Sequence, residues 1–333
     1  MNLKVGLLGG GSWGTTVASL AARNAPTTIW ARNSDTVNEI NKKGTNERYL
    51  PGRQLTPSLR ATNSIQTAVR DADVIVMGIP SQQFRSVLQQ ARPYIRPWVP
   101  IISLSKGLER GTQQRMTQII EQEMPGHPAG ALSGPNLARE IMDGFAAASV
   151  IAMVDDTIAN ALKGLFSTGL FRVYTNTDVV GVELGGALKN VIAIAAGMGD
   201  GVGAGTNTRS AVITRGLFEL TQLGVAMGGR PETFAGLAGM GDLIATCTSP
   251  LSRNRTVGYN LGQGKHIDEI IEEMSMVAEG VKTCSVVMEL GKKYGLDMPI
   301  VQAVAGVLYD NQSVMDAYRG LVKISTGSEA DPG

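Results

Sequence analysis

Short apolar runs of strand length recur through the first half of the chain, separated by longer stretches in which apolar and polar residues mix. The runs occupy residues 3–8, 27–30, 73–79, 100–104, 129–132, 147–154 and 171–174. Their length and composition are typical of buried strands, and the intervening stretches, such as that from Thr15 to about Asn24, suit helices. Because strands that alternate with helices form parallel sheets, the pattern predicts an α/β fold with a doubly wound, mostly parallel sheet to about Thr177.

The strand pattern fades after Thr177, and apolar residues then recur at helical spacing. Helices are predicted at 181–198, 208–223, 243–248, 252–262, 267–276, 280–294 and 299–309. The last residues are polar and include glycine and proline. We therefore expect a first domain at 1–177, a second, all-helical domain at 178–324, and a loose tail at 325–333.

The first predicted strand runs directly into a glycine-rich turn. Gly9, Gly11 and Gly14 have the spacing G-x-G-x-x-G between a strand and a helix, as in Rossmann-like dinucleotide-binding folds. Glycine at these positions lets the backbone approach a pyrophosphate and present amide groups at a helix N-terminus. The turn therefore predicts a dinucleotide cofactor, whereas glycines without this context would mark only a flexible turn.

The residues near the end of the second predicted strand, Trp30-Ala31-Arg32-Asn33, bear on which dinucleotide binds. An acidic residue at this place would hold the ribose hydroxyls of NAD, but the chain has Arg32. Because arginine makes two parallel hydrogen bonds to a phosphate, Arg32 favours the 2′-phosphate of NADP(H). Asp35 lies close enough in sequence to leave NAD open, and an exposed loop arginine is the alternative interpretation.

Polar residues follow three further predicted strands, at the sheet edge where the carboxyl ends of parallel strands meet the ligand crevice. Pro80 ends the 73–79 strand, and Ser81 is suited to cap the helix after it. Lys106 follows the 100–104 strand and is a candidate contact for a substrate or a cofactor, with a solvated loop lysine as the alternative. Gly134 and Asn136 lie in the turn after 129–132.

One predicted helix, within residues 181–200, combines small apolar residues with a lysine and an asparagine. Its glycines and alanines allow other helices to approach closely, so most of its circumference should be buried. Lysine is rarely buried without a partner, so Lys189 marks either the wet edge of this helix or a charge that faces a cleft. Asp242, which follows Gly239, Met240 and Gly241, is either a helix cap or the partner of Lys189.

Hydroxyl, guanidinium and amide groups are concentrated at residues 252–255. Ser252, Arg253 and Asn254 stand at a predicted helix start, where arginine and backbone amides suit a phosphate. A solvated basic turn is the alternative. Further along, Glu279 places a carboxylate in an apolar stretch, which by itself indicates no function.

Composition restricts the classes of partner. The 333 residues are 43% hydrophobic and carry a net charge of +1, which gives no bulk field to hold nucleic acid or an anionic membrane. Two cysteines and two histidines suggest neither a disulfide framework nor a metal site. No uncharged run is long enough for membrane insertion and the start lacks a secretory signal pattern, so a cytoplasmic protein is expected.

Several separated motifs, in order, resemble those of the bacterial-type NAD(P)-dependent glycerol-3-phosphate dehydrogenases, from the glycine turn to about Pro299. They are GGGSWGT, GIPSQQF, SLSKGLE, LSGPNLAREI, GVELGGALKNVIAIAAGMGDG, NTRSAVITRG, GLAGMGDLIATCTSPLSRNR and VAEG. The resemblance implies reversible reduction of dihydroxyacetone phosphate to sn-glycerol 3-phosphate with NADPH or NADH, to supply phospholipid synthesis. It also implies a homodimer.

The resemblance further implies roles for individual residues. Lys189 is the proton donor and acceptor, with Asp242 beside it. The implied substrate contacts are Lys106, Gly134, Asn136, Lys189, Asp242, Ser252, Arg253 and Asn254. The implied cofactor contacts, beyond the glycines of the turn, are Ser12, Trp13, Arg32, Lys106, Ala138, Arg253, Val277 and Glu279. The chain departs from the family pattern at Gly10, where alanine is commoner, and at Asn136, where serine or threonine is usual.

The chemistry of these residues agrees with ketone reduction. Hydride transfer to the carbonyl carbon leaves negative charge on the oxygen, which Lys189 can stabilise and protonate. Burial would lower the pKa of this lysine and a nearby Asp242 would raise it. Two rival hypotheses remain: a related two-domain dehydrogenase that acts on a β-hydroxyacid or a sugar acid, and a redox-sensing protein that holds NADPH without turnover.

Overall fold

A computed structural model of the chain describes residues 3–274 and 278–323. Its strands are β1 (Val5–Leu8), β2 (Thr27–Trp30), β3 (Arg60–Thr62), β4 (Val74–Met77), β5 (Ile101–Ser103), β6 (Ala129–Ser133), β7 (Ala147–Met153) and β8 (Phe171–Asn176). The helices of the first half are α1 (Ser12–Ala21), α2 (Ser34–Lys43), α3 (Ile65–Val69), α4 (Ser81–Ala91), α5 (Met116–Glu123), α6 (Ala138–Met142) and α7 (Asp156–Phe166). Those of the second half are α8 (Val179–Gly201), α9 (Thr206–Ala226), α10 (Pro231–Phe234), α11 (Asp242–Thr248), α12 (Arg253–Gly262), α13 (Ile267–Glu273), α14 (Glu279–Tyr294), α15 (Pro299–Tyr309) and α16 (Val314–Lys323).

The strands form one sheet in the order β3-β2-β1-β4-β5-β6-β7-β8. Each neighbouring pair is parallel except β6 and β7, which are antiparallel. The predicted fold class, a Rossmann-like doubly wound and mostly parallel sheet followed by helices, is therefore confirmed. Strand β3 escaped prediction because it has only three residues, Arg60 to Thr62, and one of them is exposed.

The sheet is covered on both faces, which explains why its strands are continuous apolar runs. Every residue of β1 and β4 is buried. Because successive side chains of a strand point to opposite faces, Leu7 packs with Val17 of α1, while Leu8 packs with Phe84 of α4. The chain reverses its direction across the sheet at β1, which lies between β2 and β4, so a crevice opens at the carboxyl ends of these strands.

Helix α8 is the central element of the second half, as its small residues predict. It is long and apolar enough to span a membrane, but 94% of its most apolar window is buried within the protein, so it is a core helix. A β-carbon on Gly197 would lie 2.1 Å from the carbonyl oxygen of Arg255, and one on Gly258 would lie 2.0 Å from that of Ile194. Glycine therefore lets α8 and α12 pack backbone against backbone.

A buried ion pair joins α8 to the first half of the chain. The Glu183 carboxylate accepts hydrogen bonds from Arg115 Nη1 at 2.6 Å and from the Thr117 backbone N–H at 2.9 Å. Glu183 lies on α8, and Thr117 lies in the first turn of α5. The pair fixes the position of α8 against the sheet, two turns before Lys189.

Several predicted boundaries differ from those observed. Helix α1 begins at Ser12 rather than Thr15, because Gly11 already serves as its N-cap. Ser81 does not cap α4, since Pro80 occupies the cap position and makes no side-chain bond there. Helix α13 ends at Glu273 instead of 276, and α16 was not predicted. The last strand ends at Asn176 and α8 begins at Val179; the predicted tail at 325–333 lies outside the described residues.

Candidate active site

An open cleft of about 760 Å³ lies between the carboxyl edge of the sheet and the helices of the second half. It brings together most of the residues that the sequence singled out. The predicted residues that line it are Gly9, Gly11, Ser12, Trp13, Gly14, Arg32, Lys106, Asn136, Lys189, Asp242, Ser252, Arg253, Asn254 and Glu279.

Two predicted site residues, Gly134 and Ala138, do not line the cleft, and a third cannot be placed because it lies outside the described residues. Gly134 lies behind the wall, where its carbonyl oxygen accepts a hydrogen bond from Lys106 Nζ at 2.8 Å. Ala138 is the first residue of α6 and packs against the apolar core under the sheet. Val277 lies outside the described residues.

The glycine turn has the geometry that its motif predicts. Gly9 has φ +126°, and a β-carbon there would lie 2.2 Å from the carbonyl oxygen of Gly78. A β-carbon on Gly14 would lie 2.1 Å from the carbonyl oxygen of Gly9. Gly11 is different, because a β-carbon there would meet no atom within 4 Å and would project into open space.

The start of α1 offers hydrogen-bond donors to the cleft. Its N-cap, Gly11, provides no side chain, so the first-turn N–H groups are not satisfied by a capping residue. The Trp13 Nε1 atom is buried without a hydrogen-bond partner among the described residues. Free amides at a helix N-terminus beside an open glycine fit the pyrophosphate of a dinucleotide.

Arg32 and Asp35 both follow the carboxyl end of β2 but lie in different surroundings. Arg32 is exposed and lines the cleft. Asp35 is not among the lining residues; it lies in the first turn of α2, where its backbone N–H donates to Asn33 Oδ1 at 2.7 Å. Because Arg32 lines the cleft and Asp35 does not, the geometry favours the phosphate interpretation of Arg32.

Lys189 is buried in the cleft wall, with 4% of its surface exposed. Its Nζ donates to Asp242 Oδ1 at 2.7 Å and also contacts Thr246 Oγ1. The interpretation of Lys189 as a wet edge of its helix is therefore wrong. Burial lowers the pKa of Lys189 to about 8, and the neighbouring Asp242 carboxylate opposes that shift.

Asp242 bridges two lysines. Its Oδ1 faces Lys189, and its Oδ2 accepts a hydrogen bond from Lys106 Nζ at 2.7 Å. Asp242 follows a π-helical turn, Leu237–Gly241, and begins α11, whose N-cap is Gly241 without a side-chain bond. The capping interpretation of Asp242 is therefore wrong, because its carboxylate is committed to the two ammonium groups.

A chain of amide hydrogen bonds holds the cleft wall behind these charges. Asn190 Nδ2 donates to the Lys106 carbonyl oxygen at 3.0 Å, and Asn254 Nδ2 donates to Asn190 Oδ1 at 2.9 Å. Asn254 Oδ1 in turn accepts from the Gly280 N–H at 2.9 Å. The chain ties the β5 loop, α8, α12 and α14 together, so each element is held relative to Lys189.

The basic turn at 252–255 divides its residues between two environments. Ser252 is the N-cap of α12, and its Oγ accepts from the Arg255 N–H at 3.2 Å. Arg253 lines the cleft. Arg255 does not, because its Nη2 pairs with Asp200 Oδ2 at 2.7 Å. The part of the cluster available to a ligand is therefore Ser252 to Asn254.

Glu279 joins the second half to α4. Its Oε2 accepts from Ser81 Oγ at 2.6 Å, and its Oε1 accepts from the Ser81 N–H at 3.3 Å. The hydroxyl expected to cap α4 thus makes a contact between α4 and α14. Burial raises the pKa of Glu279, and the Ser81 hydrogen bonds oppose that shift.

Some lining residues were not predicted. Asn190 directly follows Lys189 in α8, and Thr246 lies one helical turn after Asp242 on the same face of α11, so their positions beside predicted site residues could have indicated them. Arg48 and Tyr49 line the cleft from a loop between α2 and β3. No strand end or motif points to that loop.

Comparison with known proteins agrees with this geometry. The model of the NAD-dependent glycerol-3-phosphate dehydrogenase N-terminus matches residues 4–159, and that of the C-terminus matches 178–319. The chain is 62% identical to glycerol-3-phosphate dehydrogenase [NAD(P)+] 2 of Sphingopyxis alaskensis, covering 100% of both chains. It is 57% identical to glycerol-3-phosphate dehydrogenase [NAD(P)+] of Mycobacterium avium, over 98% of this chain and 96% of that protein. A crystal structure of glycerol-3-phosphate dehydrogenase from Coxiella burnetii superposes with a TM-score of 0.92 at 34% identity, covering 97% of this chain and 99% of that one.

Proposed function

The chain belongs to the NAD-dependent glycerol-3-phosphate dehydrogenase family, and on that premise we propose how its cleft performs the reaction. The reaction is the reversible reduction of dihydroxyacetone phosphate to sn-glycerol 3-phosphate with NADPH or NADH, which supplies glycerophospholipid synthesis. The observation that carries the assignment of roles is the bridge Lys189–Asp242–Lys106, buried in the same cleft as the glycine turn.

Lys189 is the proton donor in the direction of reduction. A nicotinamide bound in the cleft would supply the hydride to C2 of the substrate, and negative charge would develop on the carbonyl oxygen. An ammonium group stabilises that charge and releases a proton to it. A pKa of about 8 suits both directions, because the protonated and neutral forms of Lys189 are each populated near neutral pH.

Asp242 orients both lysines and offsets their repulsion. Without its carboxylate, two ammonium groups would face each other in a poorly hydrated wall, which would favour loss of a proton from one of them. The second lysine, Lys106, also donates to the Gly134 carbonyl oxygen, so its position is fixed from two sides. We assign Lys106 to contacts with both the substrate and the cofactor.

The substrate phosphate binds at the start of α12. Arg253 supplies charge-assisted hydrogen bonds, and Ser252 and Asn254 flank it on the same cleft wall. At the other side of the substrate, Asn136 Nδ2 donates to Ser149 Oγ at 3.0 Å, while its Oδ1 is buried without a partner among the described residues. That oxygen offers an acceptor to a substrate hydroxyl, and Gly134 forms the backbone behind it.

The cofactor lies along the carboxyl edge of the sheet. Gly9, Gly11, Ser12, Trp13 and Gly14 hold its pyrophosphate. We propose NADP(H) as the preferred form because Arg32, and not Asp35, lines the cleft after the end of β2. We call this part of the cleft its ribose end. The assignment of Ala138, Arg253, Val277 and Glu279 to the cofactor rests on the family resemblance, and the Ser81 contact of Glu279 supports a role in closing the cleft.

We further propose a cytoplasmic homodimer, in which residues 1–177 bind the dinucleotide and 178–324 supply the catalytic groups. These assignments rest on the family resemblance and on the change from sheet to helices near residue 177.

The deciding experiment follows NADPH absorbance in purified protein with dihydroxyacetone phosphate. Oxidation of the cofactor that depends on this substrate is expected. Binding of NADPH without turnover would instead support a redox-sensing protein. Equal kcat/KM for unphosphorylated dihydroxyacetone would contradict the role of Arg253, and preferential turnover of a β-hydroxyacid would favour the rival dehydrogenase.

A further inference from the structure

The loop between α2 and β3 is fastened to the glycine turn by one buried side chain. Asn46 has no exposed surface, and its Nδ2 donates to the Gly10 carbonyl oxygen at 3.0 Å and to Thr15 Oγ1 at 2.9 Å. The backbone carbonyl oxygen of Asn46 accepts a hydrogen bond from the Leu50 N–H at 2.7 Å. Because Leu50 is also fully buried, both ends of the segment 46–50 are held rigidly against the cofactor end of the cleft.

This segment places a second arginine on the cleft wall. Arg48 is exposed and lines the cleft, and its guanidinium carbon lies 5.5 Å from the centre of the Tyr49 ring. A guanidinium held over an aromatic ring keeps the donors on its edge available to an anion. Arg48 makes no ion pair within residues 3–274 and 278–323.

The segments that carry Arg48 and Arg32 both contact Gly10 of the glycine turn, and both arginines line the cleft. A β-carbon on Gly10 would lie 2.7 Å from the Ala31 β-carbon, so Gly10 is in contact with the residue that precedes Arg32. The carbonyl oxygen of Gly10 is the acceptor for Asn46, two residues before Arg48. The glycine turn is thus flanked by the two loops that carry the arginines.

The carboxylates of the cleft lie elsewhere. Within residues 3–274 and 278–323, those that line it belong to Asp242, which is bonded to two lysines, and Glu279, which is bonded to Ser81. Glu47, the acidic neighbour of Arg48 in sequence, accepts from the Gly52 N–H at 2.8 Å within its own loop and does not line the cleft. The ribose end of the cleft is therefore a basic corner suited to a dianionic phosphate.

We propose that Arg48 is a specificity-determining residue that, together with Arg32, clamps the 2′-phosphate of NADP(H), and that Asn46 is its positioning residue. The inference rests on the proposed NADP(H)-dependent function and adds the second arm of the clamp. The Arg48 guanidinium supplies hydrogen bonds that NAD(H) cannot use, so its contribution is confined to the phosphorylated cofactor.

The test measures binding of two nucleotides that cannot react. Calorimetry gives the Kd of adenosine 2′,5′-bisphosphate and of ADP for the wild-type protein, Arg48→Ala and Arg70→Ala. For Arg48→Ala we expect the Kd of the bisphosphate to rise about tenfold or more, with that of ADP within about twofold, as loss of a charge-assisted contact predicts. Arg70 is the matched control, because it is a well exposed arginine that pairs with Asp71 away from the cleft.

An equal rise in Kd for both nucleotides would contradict a contact of Arg48 with the 2′-phosphate and would place Arg48 at the adenine or pyrophosphate instead. An unchanged Kd for the bisphosphate would also overturn it. Kinetics with dihydroxyacetone phosphate separate this result from the broader function: the kcat/KM for NADPH should fall in Arg48→Ala while that for NADH is kept. A wild-type protein without any turnover would contradict the dehydrogenase function. The nucleotide titrations would still test whether Arg48 binds the 2′-phosphate.

Asn46→Ala tests the positioning role. Loss of the tether should reduce the preference for the bisphosphate over ADP, because Arg48 is no longer held at the corner. In the double variant with Arg48→Ala, the Asn46 substitution should change that preference no further. An additive effect of the two substitutions on the preference would contradict positioning and leave Asn46 with a structural role only.

Discussion

Lys189 and Asp242 form a buried pair in which Nζ lies 2.7 Å from Oδ1, at the point where α8 faces α11. The pair carries little exposed surface, 6% of the lysine side chain and 3% of the aspartate side chain. Burial and the carboxylate shift the lysine pKa in opposite directions, and burial prevails. The result is an ammonium that gives up its proton more readily than an exposed lysine does.

Replacing Lys189 with alanine should abolish turnover and leave cofactor binding largely intact. The reacting oxygen would lose its proton donor, which is worth about 10²- to 10⁴-fold in rate. Asp242 would keep Lys106 as its partner, so the buried carboxylate would not be left unpaired. Steady-state rates give kcat, and NADPH titrations followed by tryptophan fluorescence give the Kd.

Lys292→Ala is the control for loss of a lysine, since Lys292 is exposed in the last turn of α14. More than about a tenth of wild-type kcat in Lys189→Ala would contradict the role of Lys189. A Kd for NADPH that rises in parallel with the loss of rate would point to a structural defect.

The pH dependence should differ between the two directions of the reaction. Reduction needs protonated Lys189, so its kcat/KM should fall as pH rises through about 8. Oxidation needs the neutral amine and should rise over the same range. In Asp242→Asn the charge that raises the pKa of Lys189 is removed, so the pH profiles of reduction and of oxidation should both move to lower pH. Unchanged pH profiles of kcat/KM in that variant would show that a group other than Lys189 causes the pH dependence.

The α/β architecture could be predicted because its signals are local. Buried parallel strands are continuous apolar runs, and the glycine turn has a fixed spacing before a helix. The same local approach missed β3, whose three residues include exposed Arg60, and α16, which lies beyond the last strongly apolar helix.

Contacts between distant residues were harder to predict. Ser81 looked like a helix cap, but its hydroxyl bonds Glu279, which is 198 positions away in sequence. Asp242 is compatible with a helix cap in sequence, and its contacts with Lys189 and Lys106 exclude that interpretation. Arg48 and Asn46 lie in an irregular loop, where no periodicity indicates which side chains turn inward. Sequence thus indicated candidate residues, whereas their partners depended on tertiary packing.

Gly11→Ala should separate folding from cofactor binding. A β-carbon at Gly11 meets no atom within 4 Å, so the protein should fold with a melting temperature within a few degrees of the wild type. The added methyl group projects into the space beside the start of α1, where the backbone must approach the pyrophosphate. We expect the Kd for NADPH and for NADH to rise about tenfold or more by titration.

Gly111→Ala is not a suitable control, since Gly111 has φ +82° and an alanine there would be strained. Gly164 is suitable, because its β-carbon would also meet no atom within 4 Å and it lies in the last turn of α7. Normal NADPH binding by Gly11→Ala would place the pyrophosphate elsewhere.

Arg32→Ala should reduce activity with NADPH more than with NADH. The side chain lines the cleft beyond the end of β2, where only the phosphorylated ribose offers a dianion to a guanidinium. A loss of about tenfold in kcat/KM with NADPH, and of no more than about twofold with NADH, is expected. Equal losses with the two cofactors would remove the argument for a phosphate contact.

Glu219 should make stability depend on pH far from the active site. Its carboxylate on α9 is 1% exposed and accepts from the Ile300 and Val301 N–H groups at the start of α15, at 2.8 and 3.3 Å. Burial raises its pKa from 4.5 to about 7, against the effect of these hydrogen bonds. Because the folded state holds this proton more tightly than the unfolded state, its contribution to stability is complete below pH 4.5 and is lost as pH rises through about 7.

Glu219→Gln removes the titration while keeping an oxygen that can accept from α15. At pH 8 the variant should be more stable than the wild type by about 1 to 3 kcal/mol, and at pH 4.5 the difference should shrink towards zero. Urea unfolding at both pH values measures this free energy. Glu232→Gln, an exposed carboxylate in the first turn of α10, is the control and should show no such dependence. A constant difference between Glu219→Gln and the wild type across this range would show that the pKa of Glu219 is the same in the folded and unfolded states, with the α15 amides balancing its burial.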